Sequence, residues 1–259
     1  VETKSIKIKI TMNSSKKNNL LFFSIRIGKE RERSKMSIHK SILIFGMLFT
    51  MFAGKAQLDS IHYLPPLHSR QVNNVDEHYL YLSTPELSTF TVTIKDGAGT
   101  VLATPSLSNA VPFRYDIPLV GGHTSNVFLE TSEVGEVLTD KGYIISAPFD
   151  FYVNLRLKDG AQAASLTCKG EAAVGTEFRA ASLPIVYNVA NGWNSFVVGV
   201  MATEDNTTVT FSDYDPGVIF HRDAGDITDD IHTIVLDAGE TYVLAGYVEG
   251  VNSPNRDGF

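Results

Sequence analysis

The chain has 259 residues, of which 43% are hydrophobic and 20% charged, a composition typical of a globular protein with a substantial core. The single cysteine, Cys168, excludes an intrachain disulfide framework and any site built from several cysteines. The net charge of −7 combines a basic stretch, residues 1–35 with net +7, and an acidic remainder with net −14. Because an acidic body repels the phosphate backbone, we expect no nucleic-acid partner.

Residues 36–56 have the pattern of a secretory signal peptide. Lys40 supplies the positive charge of the N-terminal region. An apolar run of about a dozen residues follows over 42–53 and is too short to span a bilayer. Gly54 and Ala56 are the small residues that a signal peptidase requires. We therefore expect cleavage near Ala56 and a secreted or outer-surface location. A buried core helix is the alternative.

Residues 1–35 precede Met36, at which the signal-peptide pattern begins, and are rich in Lys, Ser and Asn. They are interpreted as a non-native upstream extension that an overlong gene model would add. A genuine basic N-terminal extension is the alternative interpretation.

From residue 57 onward the sequence predicts an all-β fold. Short runs of β-branched and aromatic residues alternate with turn signals such as Asp96-Gly97 and Asp205-Asn206, at the spacing of antiparallel strands. The expected architecture is a set of antiparallel β-sandwich-like tandem units, with a propeller-like arrangement of four-stranded sheets as the alternative. The predicted strands are 79–83, 90–95, 101–103, 113–117, 126–130, 143–147, 149–157, 164–168, 176–180, 195–202, 207–212, 217–221, 232–236 and 241–246.

A shift of 117 residues aligns 59–142 with 176–259 without a gap, and 13 of the 84 aligned positions are identical. The identities include Thr91-Val92-Thr93 with Thr208-Val209-Thr210. We therefore predict a first β unit over 57–174 and a second over 175–259. The second unit would be truncated, because the counterparts of 143–174 fall after Phe259. The chain is accordingly expected to be the N-terminal part of a larger surface protein.

No catalytic, cofactor-binding or metal-ligating residue is predicted, and no cofactor. The sequence lacks the motifs of nucleophilic hydrolases, nucleotide-binding loops and zinc proteases, and its histidines are not spaced as metal ligands are. His68 and His78 flank a polar segment and are expected to be solvated. Cys168 lies in an apolar strand pattern and is expected to be a buried, inert thiol.

An acidic segment over 213–230 raises two further interpretations. Its carboxylates could bind Ca²⁺, although their spacing matches no EF-hand loop. They could also supply the acid pair of a secreted carbohydrate-active hydrolase, which is the alternative function. The segment contains Asp213, Asp215, Asp223, Asp226, Asp229 and Asp230.

Asn206-Thr207-Thr208 has the pattern of an N-glycosylation sequon, but it is better explained as the turn of a hairpin.

Two stretches of the second half carry a resemblance to a known family. Residues 201–211 (Met-Ala-Thr-Glu-Asp-Asn-Thr-Thr-Val-Thr-Phe) and 234–244 (Ile-Val-Leu-Asp-Ala-Gly-Glu-Thr-Tyr-Val-Leu) resemble the region named after the N-terminal part of the IgG Fc-binding protein. The first half resembles the same family in surface proteins of gliding-type Bacteroidetes, through residues 79–85 and 146–149.

The signal-peptide pattern, the tandem β units and the lack of catalytic motifs predict a non-enzymatic, exported protein that binds or adheres at the cell surface. Its partner would be an extracellular protein or a glycan, recognised by loops on a rigid β scaffold. The resemblance assigns no residue to Fc binding.

Overall fold

The computed structural model describes residues 6–11, 57–68, 77–159, 162–181, 195–248, 253 and 255. Within these ranges all paired strands are antiparallel, and the helical segments are two short 3-10 turns, Thr131–Glu133 and Gly170–Ala173. The predicted all-β, antiparallel class is therefore confirmed. The strands are β1 (Ile6–Thr11), β2 (Asp59–Leu64), β3 (Glu77–Ser83), β4 (Phe90–Thr91), β5 (Thr93–Asp96), β6 (Val101–Ala103), β7 (Ser106–Leu107), β8 (Phe113–Asp116), β9 (Tyr143–Asp159), β10 (Gln162–Thr167), β11 (Glu177–Ala180), β12 (Ser195–Met201), β13 (Thr207–Ser212), β14 (His232–Leu236) and β15 (Thr241–Tyr247).

Most predicted strands are observed, and the differences have local causes. The strands predicted over 126–130 and 217–221 are wrong, because these segments form only isolated bridges, such as that between Phe220 and Ile227. The strands predicted over 143–147 and 149–157 are one continuous strand, β9, which runs through Pro148. β1 was missed because it lies in the segment interpreted as an upstream extension, and β7 because it has only two residues; β2 was missed as well.

The larger sheet is built around the 17-residue strand β9. The first part of β9 pairs with β2 and β5, and its second part pairs with β3 and β10. β6 extends the sheet beyond β5, and β8 extends it beyond β3. Leu80, Ile145 and Phe151 are fully buried in the core that this sheet covers.

A second group of strands covers a separate core. One sheet has the order β11-β1-β13-β14, and β12 pairs with β15 in another. Phe211, Leu236 and Tyr242 lie in the core shared by these sheets. Ile8 of β1 also belongs to this core, with 4% of its surface exposed. Part of the segment interpreted as an upstream extension is therefore paired and packed.

The two groups of strands meet along β15, which is buried over its whole length. Leu138 exchanges two backbone hydrogen bonds with Thr241, at 3.0 and 2.9 Å, and the Gly135 N–H donates to the Val243 carbonyl at 2.9 Å. Near this junction the backbones of Gly97 and Gly239 approach so closely that neither position has room for a Cβ atom.

The expected signal peptide, residues 36–56, lies outside the described residues. Over the part of the chain that the structure describes, no helix has the length and apolar character needed to span a membrane.

Candidate binding face

Strand β3 presents two tyrosines on the outer surface of the larger sheet. The strand alternates between buried Leu80 and Leu82 on one side and Tyr79 and Tyr81 on the other, as expected for a strand with one wet face. Tyr81 is 40% exposed. Large aromatic side chains in such a position are available for contact with a partner.

Neighbouring strands place arginines beside both tyrosines. Tyr81 lies opposite Arg114 of β8 and Asn154 of β9, and Tyr79 lies opposite Asp116 and Arg156. Because residues opposite each other across antiparallel strands share a face of the sheet, these side chains form two parallel rows. We call this surface the Tyr–Arg face, and it consists of Tyr79, Tyr81, Arg114, Asp116, Asn154 and Arg156.

The aromatic and cationic groups of the Tyr–Arg face are in contact. The rings of Tyr79 and Tyr81 meet edge to face, with centroids 5.0 Å apart. The Arg114 guanidinium carbon lies 5.3 Å from the centre of the Tyr79 ring, and that of Arg156 lies 5.8 Å from the centre of Tyr81. Both distances are within the range of cation–π attraction, so the four side chains hold one another in place.

Hydrogen bonds fix the polar members. Arg114 donates through Nε and Nη2 to the two carboxylate oxygens of Asp116, at 3.0 and 3.1 Å. This bidentate pair raises the pKa of the Arg114 guanidinium, which stays charged. The side-chain oxygen of Asn154, Oδ1, accepts hydrogen bonds from Arg156 Nε at 3.1 Å and from the Ser165 hydroxyl of β10 at 3.0 Å. The face is therefore ordered before any partner arrives.

A shallow cavity of about 260 Å³ adjoins this face. Tyr79, Arg114 and Asp116 line its polar side, while Ile117 and Leu119 line its apolar side. A partner could insert a small side chain there while it covers the tyrosines. The Tyr–Arg face and this cavity together form the candidate binding site of the larger sheet.

The solvated positions predicted for His68 and His78 are wrong. His68 is buried, its Nε2 lies 2.7 Å from the Tyr247 hydroxyl, and its Nδ1 lies 3.0 Å from the Leu129 carbonyl. His78 is 3% exposed, and its Nδ1 lies 3.2 Å from the Ser125 hydroxyl. Burial lowers the pKa of both imidazoles, that of His78 to about 4. These histidines are neutral parts of the core at neutral pH.

Burial of His78 predicts a pH-dependent stability. Below its ordinary pKa of about 6.5 the imidazole binds a proton in the unfolded chain but not in the folded one. The unfolding free energy therefore falls between about pH 6.5 and pH 4, by up to about 1.4 kcal/mol per pH unit from this residue. The His78→Asn variant should show a shallower fall in urea denaturation across this range. Ser125→Ala, which removes the hydroxyl 3.2 Å from His78 Nδ1 but keeps the imidazole, is the control and should keep the original slope. Equal slopes in all three proteins would contradict the prediction.

The acidic segment does not form a buried acid pair. Five of its six carboxylates are exposed: Asp213, Asp223, Asp226, Asp229 and Asp230. Nowhere in the described ranges do three His, Cys, Asp or Glu side chains converge as a metal ion would require. The arrangement gives no support to the calcium site or to the hydrolase.

The expectation for Cys168 is confirmed, whereas that for Asn206 holds only in part. Asn206 lies in a turn, but the turn links β12 to β13, which pair with other strands and do not form a hairpin. Cys168 is buried and free, and burial raises the pKa of its thiol to about 12, so it is not nucleophilic at neutral pH. Asn206 adopts the left-handed conformation with φ of 55° in the turn before β13, and its N–H donates to Asp237 at 2.9 Å. Both residues therefore have structural roles.

Comparison with protein families gives a match that begins in β10 and covers β11 to β15. Residues 163–255 match the model of the IgGFc binding protein family. The match includes Ser165 and Thr167, which border the Tyr–Arg face on β10. It agrees with the resemblance seen in the sequence, and the description of the matched family is that of a binding protein. Neither the curated proteins nor the solved structures give a significant match.

No binding residue is predicted from the sequence, although part of the signal is present there. The run Tyr79-Leu80-Tyr81-Leu82 places two tyrosines on one face of a strand. The arginines are 35 and 75 residues further along the chain, at Arg114 and Arg156, and only the strand register brings them to the tyrosines.

Proposed function

We propose that this protein is exported, is displayed at the cell surface as part of a larger protein, and binds an extracellular protein through the Tyr–Arg face. The observation that carries the binding proposal is the ordered pair of rows formed by Tyr79, Tyr81, Arg114 and Arg156. Tyrosine and arginine are over-represented among the residues that dominate binding energy at protein interfaces. The family match supports a binding role for the chain, but the matched residues, 163–255, do not include these four side chains.

The immunoglobulin Fc fragment is the first candidate ligand, because the matched family is described as an IgGFc binding protein. A protein surface is favoured over a small molecule because the face lies on the outer surface of a sheet and the cavity beside it is shallow.

The test measures binding of the full chain to immobilised IgG Fc by surface plasmon resonance. Tyr81→Ala and Arg156→Ala should each weaken binding by about tenfold or more, the loss expected for residues at the centre of an interface. Arg179→Ala removes an exposed arginine from β11, outside the face, and should leave the affinity unchanged. If Fc binds the three variants equally, the Tyr–Arg face is not the binding site. If Fc does not bind at all, the Fc assignment fails.

Export is tested separately by N-terminal sequencing of the secreted product in the native host. The signal-peptide pattern of residues 36–56 supports a mature start near Gln57. A product that stays in the cell and begins within residues 1–35 would contradict export by this route.

A further inference from the structure

Strand β1 is the link that completes a sheet of the second strand group. It pairs with β11 on one side, in four register positions, and with β13 on the other, in five. Within the described ranges no other strand joins β11 to β13. Without β1 the sheet would therefore have a gap one strand wide.

The first strand group has a strand in the corresponding place. The shift of 117 residues relates β2 to 176–181, which contains β11, and relates β5 to 210–213, the end of β13. In the first group β2 and β5 are not paired with each other, and the start of β9 lies between them, antiparallel to both. In the second group β1 lies between the counterparts of β2 and β5 and is likewise antiparallel to both.

The register of β1 against β13 is that of β9 against β5. Ile145 lies opposite Ile94, and Ile8 lies opposite Phe211, which is the counterpart of Ile94 under the same shift. On the other side the correspondence differs by one residue, since Ile145 lies opposite His62 and Ile8 lies opposite Phe178. Residues 6–11 therefore occupy the position of a β9-type strand, although their sequence lies far from it in the chain.

The chemistry of the gap suits an extended segment that alternates apolar and polar residues. Residues 6–11 read Ile-Lys-Ile-Lys-Ile-Thr, and Ile8 is buried in the core while Lys9 is exposed. The backbones of β11 and β13 provide hydrogen-bonding groups on both sides, and the core provides a site for the apolar side chain. Both elements of recognition by strand addition are present.

We propose that the gap between β11 and β13 is a strand-acceptor site, and that Ile6–Thr11 is a donated strand that occupies it by two-sided antiparallel pairing. The ligand class is an extended peptide with a β-branched residue at the position of Ile8. If the leader is cut near Ala56, as the proposed function has it, residues 6–11 are separated from the exported body, and the acceptor site is open to an extended peptide from another chain. This last step rests on the proposed export, whereas the acceptor site does not.

The exchange test keeps the full chain and adds one cut. A specific protease site replaces residues 14–19, so that cleavage leaves residues 1–13 attached only by pairing. We expect the cut peptide to co-elute with the body in size-exclusion chromatography. A fluorescent peptide of residues 4–13, added in excess either before or after the cleavage, should then replace the cut peptide. If the cut peptide is lost while the body keeps its near-ultraviolet circular dichroism, and the labelled peptide does not bind, the proposal is overturned.

A matched peptide separates strand insertion from attraction of a basic peptide to an acidic body. The Ile8→Lys peptide carries one more positive charge, so simple charge attraction would make it bind more tightly. Insertion would bury an ammonium group in the core, and we expect binding at least about tenfold weaker. The Lys9→Ala peptide should bind within about threefold of the native sequence, because Lys9 is exposed and pairs only through its backbone. Tighter binding of the Ile8→Lys peptide would overturn the proposal.

A cross-link tests the position of β1 in the uncut chain. Lys9 lies opposite Thr210, so cysteines at these two positions should form a disulfide under mild oxidation. Thr233 lies in the same row one strand further, opposite Thr210, which makes Lys9→Cys with Thr233→Cys the control that should not cross-link. Because Cys168 is buried, it does not compete. Absence of the first cross-link in folded protein would overturn the placement. This outcome is independent of any result with Fc.

Discussion

Gly239→Ala is expected to lower the free energy of unfolding by about 3 kcal/mol or more. Gly239 has a φ of 87°, a left-handed conformation that costs an alanine about 1 kcal/mol. A Cβ atom there would also overlap the Gly97 carbonyl oxygen, and neither partner is a flexible side chain that could move aside. The backbone of one group of strands would have to shift away from the other, at a further cost of about 2 kcal/mol.

Gly122→Ala separates these two contributions. Gly122 has a φ of 86°, nearly that of Gly239, but an added Cβ atom has no neighbour within 4 Å. This variant should therefore lose only about 1 kcal/mol, the cost of conformation alone. Urea denaturation of the full-length variants measures both losses. Equal losses would mean that the contact between Gly97 and Gly239 adapts without cost, contrary to the prediction.

Local patterns in the sequence were sufficient to predict strands but not their partners. The alternation of Thr207–Ser212 and the turn at Asn206 are properties of neighbouring residues, and both agree with the structure. The strand predicted over 217–221 has a suitable composition, yet Val218 and Phe220 are buried from a loop instead. A side chain can be buried wherever a core lies nearby, whereas a strand also requires a neighbouring strand with free backbone hydrogen-bonding groups.

The candidate site depends on the same long-range information. Tyr79 and Tyr81 could be placed on one face from their spacing, but the contact between Tyr81 and Arg156 exists because β3 and β9 pair in one register. A slip of one residue would turn the arginine to the opposite side of the sheet. β1 is the extreme case, since its partners lie about 170 and 200 residues away along the chain. Its alternation of Ile and Lys is a strand pattern. The surrounding segment is strongly basic, however, and was interpreted as an upstream extension instead.

Phe151→Ala is expected to cost about 3–5 kcal/mol of unfolding free energy, because it leaves a ring-sized cavity in the larger core. The Phe151 side chain is fully buried, and its ring packs edge to face on His62 with centroids 4.8 Å apart. The hydrogen bond of 2.8 Å between His62 Nε2 and the Phe151 carbonyl involves the backbone, so the substitution leaves it in place. The loss therefore measures side-chain packing alone.

Phe149→Ala is the control within the same strand. Phe149 is 46% exposed and touches Phe90 at a centroid distance of 5.3 Å, so its truncation should cost about 1 kcal/mol or less. Both variants exchange phenylalanine for alanine in β9, and the intrinsic change in strand preference is therefore nearly the same. The difference between their urea midpoints isolates burial. If the two variants are equally stable, β9 does not run through the centre of the core, and the sheet order around it is wrong.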